Sequence, residues 1–374
     1  MSKFFGNRTS SPLNILTLVL LALFFLFLLR HDNHKFTLKE FQSKSNKCQL
    51  KNVQLYNLSQ KKYPFTIVTG ANFGHFCPLQ SWLYNMSSLL STLPEAHRPR
   101  IIVYDLGFKN FQINALSYLH QKNYFTEYRL FNFSKYPSFW NINIARGEYA
   151  WKPAIIAEIS REYPGIIMWL DSGTLISIKL LNNVKKLVDA YDGFFSPISG
   201  GGLFLKWTHP GVFKYYKDSK KGKNYDDYNN CNGAGMIFDT VRVYNIIEEW
   251  EKCAYIKECI APKGSSRRNH RQDQTILTYL MINNNRPCIG AKEKFDMKIH
   301  SDKYCASIIW EYEKVHDEIW RPSDQDLKEI KDIAKNSPAE IIDIWTKSAK
   351  NNKDKLSDNI NMGGNKLILG IELF

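Results

Sequence analysis

Ten residues, Gly165 to Thr174 (GIIMWLDSGT), constrain this chain more than any others. Ile166 to Leu170 is an unbroken apolar run, the pattern of a strand buried on both faces, and such strands belong to parallel sheets covered by helices. The run stops at a carboxylate, Asp171, and open α/β sheets bind ligands at the carboxyl ends of their strands. Asp-Ser-Gly also suits a plain turn. The surrounding pattern has to separate a turn from a site.

Upstream, Phe65 to Thr69 and Arg100 to Asp105 have the same buried-strand character, and Tyr128 to Phe133 reads as a further strand. Helical spacing appears at Leu79 to Leu93, at Asn114 to Lys122 and at Trp151 to Tyr163, where Pro153 in the first turn costs no hydrogen bond. This alternation predicts an α/β fold: a single Rossmann-like domain with a mainly parallel central sheet and right-handed crossovers. After Asp171 the strands shorten and glycines accumulate. Helices return at Val241 to Tyr255 and again from Gln272.

Ile15 to Leu29 is apolar except for Thr17, close to the roughly 18 to 20 residues a membrane-crossing helix needs, and no small-x-small cleavage pattern follows it. Residues 12–29 therefore predict a transmembrane signal anchor, preceded by a cytosolic tail (1–11) and followed by a polar stem or linker (30–62). The folded domain is expected over 63–320, with a polar, partly helical tail over 321–374. Basic residues flank the apolar run on both sides, so charge does not orient it. Orientation comes from the glycosylation sequons at Asn57, Asn85 and Asn132, and from seven cysteines without CxxC spacing. Those cysteines fit one to three disulfides, with at least one thiol left over, in an oxidising compartment. The expectation is a single-pass type II protein of the Golgi or ER membrane with a lumenal body.

Lysine and arginine number 50 against 36 acidic residues, a net charge of +14 that favours anionic partners. Nucleic acid is not the expected partner, because no zinc-finger, homeodomain or RNA-recognition signature accompanies the charge. Thr69 to Phe76 (TGANFGHF) has the outline of a dehydrogenase phosphate loop, but its closing glycine is replaced by Phe76. Tyr216 and Lys220, spaced like the proton-moving pair of such enzymes, lie in a polar stretch rather than on an amphipathic helix. An NAD(P)-dependent short-chain dehydrogenase is a remote alternative.

Four segments in order resemble the glycosyltransferase A fold of nucleotide-diphospho-sugar transferases, most of all its glycogenin and bacterial galactosyltransferase-like branch. They are Thr69 to Asn72, then Leu170-Asp171-Ser172-Gly173, then Asn232-Gly233-Ala234-Gly235, then Gln272-Asp273-Gln274-Thr275-Ile276-Leu277. The likeness covers residues 63–310. It implies a hexosyltransferase-like enzyme that moves a sugar from a nucleotide-diphosphate sugar to a glycan or glycoprotein acceptor. Asp171 and Asp273 would be catalytic. The donor would lie against Thr69, Gly70, Ala71, Asn72, Asp105, Lys152, Ser172, Gly173, Asn232, Gly233, Gly235 and Gln274.

The resemblance further implies Mn²⁺ or Mg²⁺ held by Asp171 and a late histidine, His300, since a hard cation neutralises the charge of a departing diphosphate. Position 173 departs from the pattern: glycine stands where the family places its second carboxylate. Lys152 and the loop arginines Arg267, Arg268 and Arg271 are cations able to supply charge there instead. Asp273 suits either a sugar hydroxyl or a proton. Trp140, Trp151 and Trp207 are candidates for stacking or for core. The missing carboxylate keeps open a second function, that of a catalytically inactive carbohydrate- or nucleotide-binding relative.

Overall fold

The computed structural model describes residues 63–336, apart from 219–223, 289, 291–295 and 318, with side chains to 333. The expected anchor, stem and far tail lie outside these residues, as do Asn57, Cys48 and Lys220. No described helix is long and apolar enough to cross a membrane.

Strands β1 (Thr66–Ala71), β2 (Arg100–Asp105), β3 (Glu127–Leu130) and β4 (Ile166–Leu170) pair in parallel. Then follow β5 (Leu175–Ile176), β6 (Phe194–Phe195), β7 (Ile198–Leu203), β8 (Asn229–Cys231), β9 (Gly235–Asp239) and β10 (Met297–Lys298). The central sheet has the order β3-β2-β1-β4-β9-β6. The expected α/β fold with a mainly parallel sheet is therefore present, with β9 antiparallel to both β4 and β6. That reversal positions the site. Because β9 starts where β4 ends, Ala234 lies beside Asp171, whose N–H donates to the Ala234 carbonyl at 2.9 Å.

The helices are α1 (Phe76–Ser91), α2 (Asn110–Gln121), α3 (Trp151–Glu162), α4 (Ile178–Ala190), α5 (Pro210–Tyr215), α6 (Tyr244–Ala254), α7 (Lys257–Ile260), α8 (Gln272–Asn283), α9 (Cys305–Val315) and α10 (Asp324–Asn336). Alternate residues of β4 feed two cores, as the period of a strand requires. Ile167 and Trp169 pack with Ile155 of α3, Trp250 of α6 and Ile276 of α8. Met168 and Leu170 pack with Leu83 of α1, Leu116 of α2 and Val184 of α4. Both faces of β4 are covered, which accounts for its uninterrupted apolar sequence.

Disulfides Cys77–Cys305, Cys231–Cys288 and Cys253–Cys259 pair six of the seven cysteines, within the expected one to three. The first ties the start of α1 to the start of α9. Part of the sequence read as tail is folded: Glu329 of α10 accepts from the N–H groups of Asn110 and Phe111 at 3.2 Å, capping the first turn of α2. Asn85 sits inside α1 with its amide oxygen buried, a poor place for a glycan, whereas Asn132 is half-exposed in a surface turn.

Candidate functional site

Lys152 is the second residue of α3, and its side chain turns inward to end 3 % exposed. Its ammonium donates to Asp171 Oδ1 at 2.9 Å and to the Gly233 carbonyl at 2.9 Å, with Asp273 Oδ2 at 3.8 Å. Four elements therefore meet at one nitrogen: α3, the end of β4, the turn before β9 and the start of α8. Trp169, two residues before Asp171 on the same strand face, donates its indole N–H to Asp171 Oδ1 at 2.7 Å. Asp171 keeps its side chain 40 % exposed, so its other oxygen faces outward.

Burial pushes the Asp273 carboxyl up to about 6; Lys152, the Gln274 N–H and Arg267 oppose the rise, and the charge of Asp171 adds to it. Burial works to strip the proton from Lys152, but Asp171 and Asp273 outweigh it and raise its pKa. The group thus holds one fixed cation, one half-exposed carboxylate and one buried carboxyl that changes charge near neutral pH. Perturbation by burial and specific partners is what functional clefts show.

The turn before α3 is strained. Ala145, Arg146, Gly147, Glu148 and Tyr149 all have φ between 48° and 62°, a left-handed run that costs non-glycine residues about 1–2 kcal/mol each. Gly147 is required twice over, by its φ and because a Cβ would strike the Trp140 carbonyl. The turn places Glu148 against α8, where Gln272 Nε2 donates to Glu148 Oε2 at 3.2 Å. Strain of this kind clusters at functional sites.

The other sequence-derived residues are distributed around this centre. Asn232, buried, caps the Ala234 N–H at 3.0 Å, and Gln274 lies over Gly233; Gly235 opens β9, and Ser172 is buried behind Asp171. Thr69, Gly70 and Ala71 belong to β1, with Thr69 and Ala71 in the core, while the amide oxygen of Asn72 at the rim accepts from His75 Nδ1 at 2.8 Å. Asp105 is 2 % exposed and its oxygens serve its own loop: they accept from the N–H groups of Gly107 (2.6 Å) and Phe108 (2.8 Å) and from the Tyr128 hydroxyl (2.5 Å). Trp140 and Trp151 are core residues, whereas Trp207 is half-buried near α8. Tyr216 stacks on Tyr279 rather than facing this centre.

The oxygen donors beside the expected metal motif are Asp171 and Asp302. Asp171 Oδ1 already holds an ammonium and an indole N–H, and Gly173 brings no side chain. A Cβ at Gly173 would lie 2.5 Å from both carboxylate oxygens of Asp302, so a carboxylate from another segment stands where the missing side chain would be. His300 is exposed, and among the described residues no three His, Cys, Asp or Glu side chains form a metal-binding group. Lys152 is the cation the structure places against Asp171.

Sequence reasoning missed Trp169, Glu148 and Asp302, and gave Gln272 no role beyond its place in the fourth segment. Trp169 had a signal in its i−2 spacing from Asp171 on a strand, but the pattern marked it only as core. Glu148 and Asp302 reach the site through tertiary packing.

No family model and no curated protein matches this chain. Among solved structures it is similar to the galactosyltransferase LgtC in complex with donor and acceptor sugar analogues: 16 % identity, over 60 % of this chain and 73 % of that one, with a TM-score of 0.35. It is similar to mouse xyloside xylosyltransferase 1 in its apo form, at 10 % identity over 61 % of this chain and 84 % of that one, TM-score 0.38. It is also similar to the apo bifunctional glycosyltransferase WbbM, at 13 % identity over 58 % of this chain and 37 % of that one, TM-score 0.36. Each overlaps this chain in part, and the chemistry follows from the site's own residues.

Replacing Lys152 by methionine strands two carboxylates around an apolar side chain. Denaturant unfolding at pH 7 should show a loss of about 3–5 kcal/mol, and Asp273→Asn in the same chain should recover part of it. A loss below about 1 kcal/mol would show that the ammonium is not what holds these elements together.

Proposed function

We propose that this chain is a glycosyltransferase that moves a sugar from a nucleotide-diphosphate sugar to a hydroxyl of a glycan or glycoprotein. The observation that carries this is the buried Lys152 joined to Asp171 and Asp273 where β4 ends and β9 begins, the edge at which open α/β sheets bind ligands. The four ordered sequence segments support it. Three of them, those at Asp171, Gly233 and Asp273, converge on one nitrogen although they span residues 171 to 273.

The reaction breaks the anomeric C–O bond to the diphosphate, whose electrons leave with the nucleotide, and forms a new C–O bond to the acceptor oxygen. Charge therefore builds on the diphosphate and a proton leaves the acceptor hydroxyl. Lys152 is the fixed cation of the site, and two of its three N–H donors are used by Asp171 and Gly233. We assign it to the departing diphosphate, with preorganised charge as the source of stabilisation. Asp171, with one outward oxygen, orients the donor. Asp273, ionised above about pH 6, takes the acceptor proton.

A carboxyl poised near neutral pH favours a working enzyme over an inactive binding relative. Three disulfides and the apolar run over residues 15–29 support a type II protein of the secretory route with a lumenal body.

Incubation of the purified protein with a panel of sugar nucleotides should give hydrolysis or transfer with at least one donor. Asp171→Ala should lower the rate by about 100-fold or more; a folded variant of full activity would remove Asp171 from the site, and silence with every donor would remove the function. The pH dependence has a definite sign. Asp273 binds its proton more tightly folded than unfolded, so as pH rises from its ordinary range through about 6 the fold loses stability while the base is generated. Hence kcat/KM should climb with pH up to about 6 and then level. Asp273→Asn should erase that inflection and cost about 100-fold or more; a profile unchanged in shape would exclude Asp273 as the base.

A further inference from the structure

The sheet order gives the site two flanks. Loops after β1 and β2 lie on one side of Asp171, and β9 with the start of α8 lies on the other. On this second flank three arginines gather around two aromatic rings. The Arg271 guanidinium lies 4.0 Å from the centre of the Trp207 ring, and that of Arg267 lies 5.1 Å from the centre of Tyr149. Arg146 Nη1 donates to the Tyr149 hydroxyl at 2.7 Å.

Elsewhere in the fold Arg129, Arg161, Arg242 and Arg286 each hold a carboxylate. Among the described residues Arg267 and Arg271 hold none, and no side-chain acceptor meets either guanidinium. They act on each other: burial and the like charge of Arg267 both lower the pKa of Arg271. Arg267 also acts on Asp273, pulling its carboxyl down. Two repelling cations adjacent to the base, neither bonded to a carboxylate, form a place for an anion.

The chemistry of that anion follows from the stacking. A guanidinium lying on an aromatic face keeps its in-plane N–H groups free, and that edge matches a carboxylate or sulfate in a two-point contact. A second observation points to a saccharide. Gln272 is 3 % exposed; its Nε2 donates to Glu148, while its Oε1 is buried with no donor. A ring hydroxyl donating to Oε1 would satisfy it, and an unsatisfied buried acceptor is costly otherwise.

Given a nucleotide-sugar site at Asp171, on which this rests, we propose that the second flank is the acceptor subsite and that the acceptor is an acidic saccharide. Arg271 and Arg267 hold its carboxylate or sulfate, Gln272 Oε1 accepts from a hydroxyl, and Asp273 faces the hydroxyl that is glycosylated.

Calorimetric titration of the full chain tests this with two matched pairs, cellobiouronic acid against cellobiose and lactose 3′-sulfate against lactose, with UDP titrated in parallel. The acidic member of at least one pair should bind about tenfold or more tightly than its neutral partner, the scale of a charge-assisted contact. Arg271→Gln and Arg267→Gln should each reduce that preference while leaving UDP affinity within about twofold. No preference in either pair overturns the proposal. So does a loss of UDP affinity in the arginine variants equal to the loss for the sugar, which would assign these cations to the donor's diphosphate. If UDP fails to bind the unaltered protein, the donor site at Asp171 falls instead, and the two failures are separable.

Discussion

An ammonium sealed inside a protein is tolerated only when carboxylates and carbonyls replace its water, and here one such ammonium sets the geometry of everything around it. Lys152 draws α3, the end of β4, the Gly233 turn and the start of α8 to within hydrogen-bond or ion-pair reach of a single atom. Each partner answers a different need. Asp171 and Gly233 satisfy two of its N–H donors, and Asp273 balances charge from slightly farther away. A slip of one residue in β4 would turn Asp171 to the opposite face of the sheet and leave the lysine buried without its closest counter-charge.

Charge balance then links this centre to its surroundings. With Asp171 and Asp273 both ionised, the group carries one more negative than positive charge, and the nearest compensation comes from Arg267. The same arginine opposes Arg271, so the cationic flank and the acidic centre hold each other's ionisation in balance. The left-handed turn over residues 145–149 joins the two, since it leads directly into α3 and carries both Tyr149, under Arg267, and Glu148, bonded to Gln272. Its strain is offset by anchoring at both ends: Trp151 Nε1 donates to the Arg146 carbonyl at 3.3 Å, and the turn packs on α8.

Much of the fold was legible before any coordinates. The run from Ile166 to Leu170 reads as a strand buried on both sides and is one, and β2 begins and ends where its residue pattern says. Those are local signals, set by the period of a strand. The sequence also marked Asp171, Lys152, Gly233 and Asp273, which the fold brings together. What escaped was non-local or masked by a stronger local signal. A single glycine in Ala145 to Tyr149 does not announce five left-handed residues, because packing on Trp140 and α8 imposes them. Asp302 reaches Gly173 from a segment far along the chain, tied there by the Ser301 N–H donating to the Gly173 carbonyl at 2.8 Å. The sequence left Asp171 in want of a second acid. In the fold an ammonium, Lys152, bonds Asp171, and the Asp302 carboxylate lies where a side chain at position 173 would stand.

Lys152 as the fixed cation beneath a nucleotide-sugar diphosphate is the claim on which the rest stands. A crystal structure of the protein soaked with UDP, collected once in chelator and once with Mn²⁺, addresses it directly. The expected result is a diphosphate oxygen within about 3 Å of Lys152 Nζ, between the carboxyl ends of β1 and β4, in both crystals. A nucleotide seen only with Mn²⁺, or bound away from that edge with Lys152 still closed between Asp171 and Asp273, would contradict it.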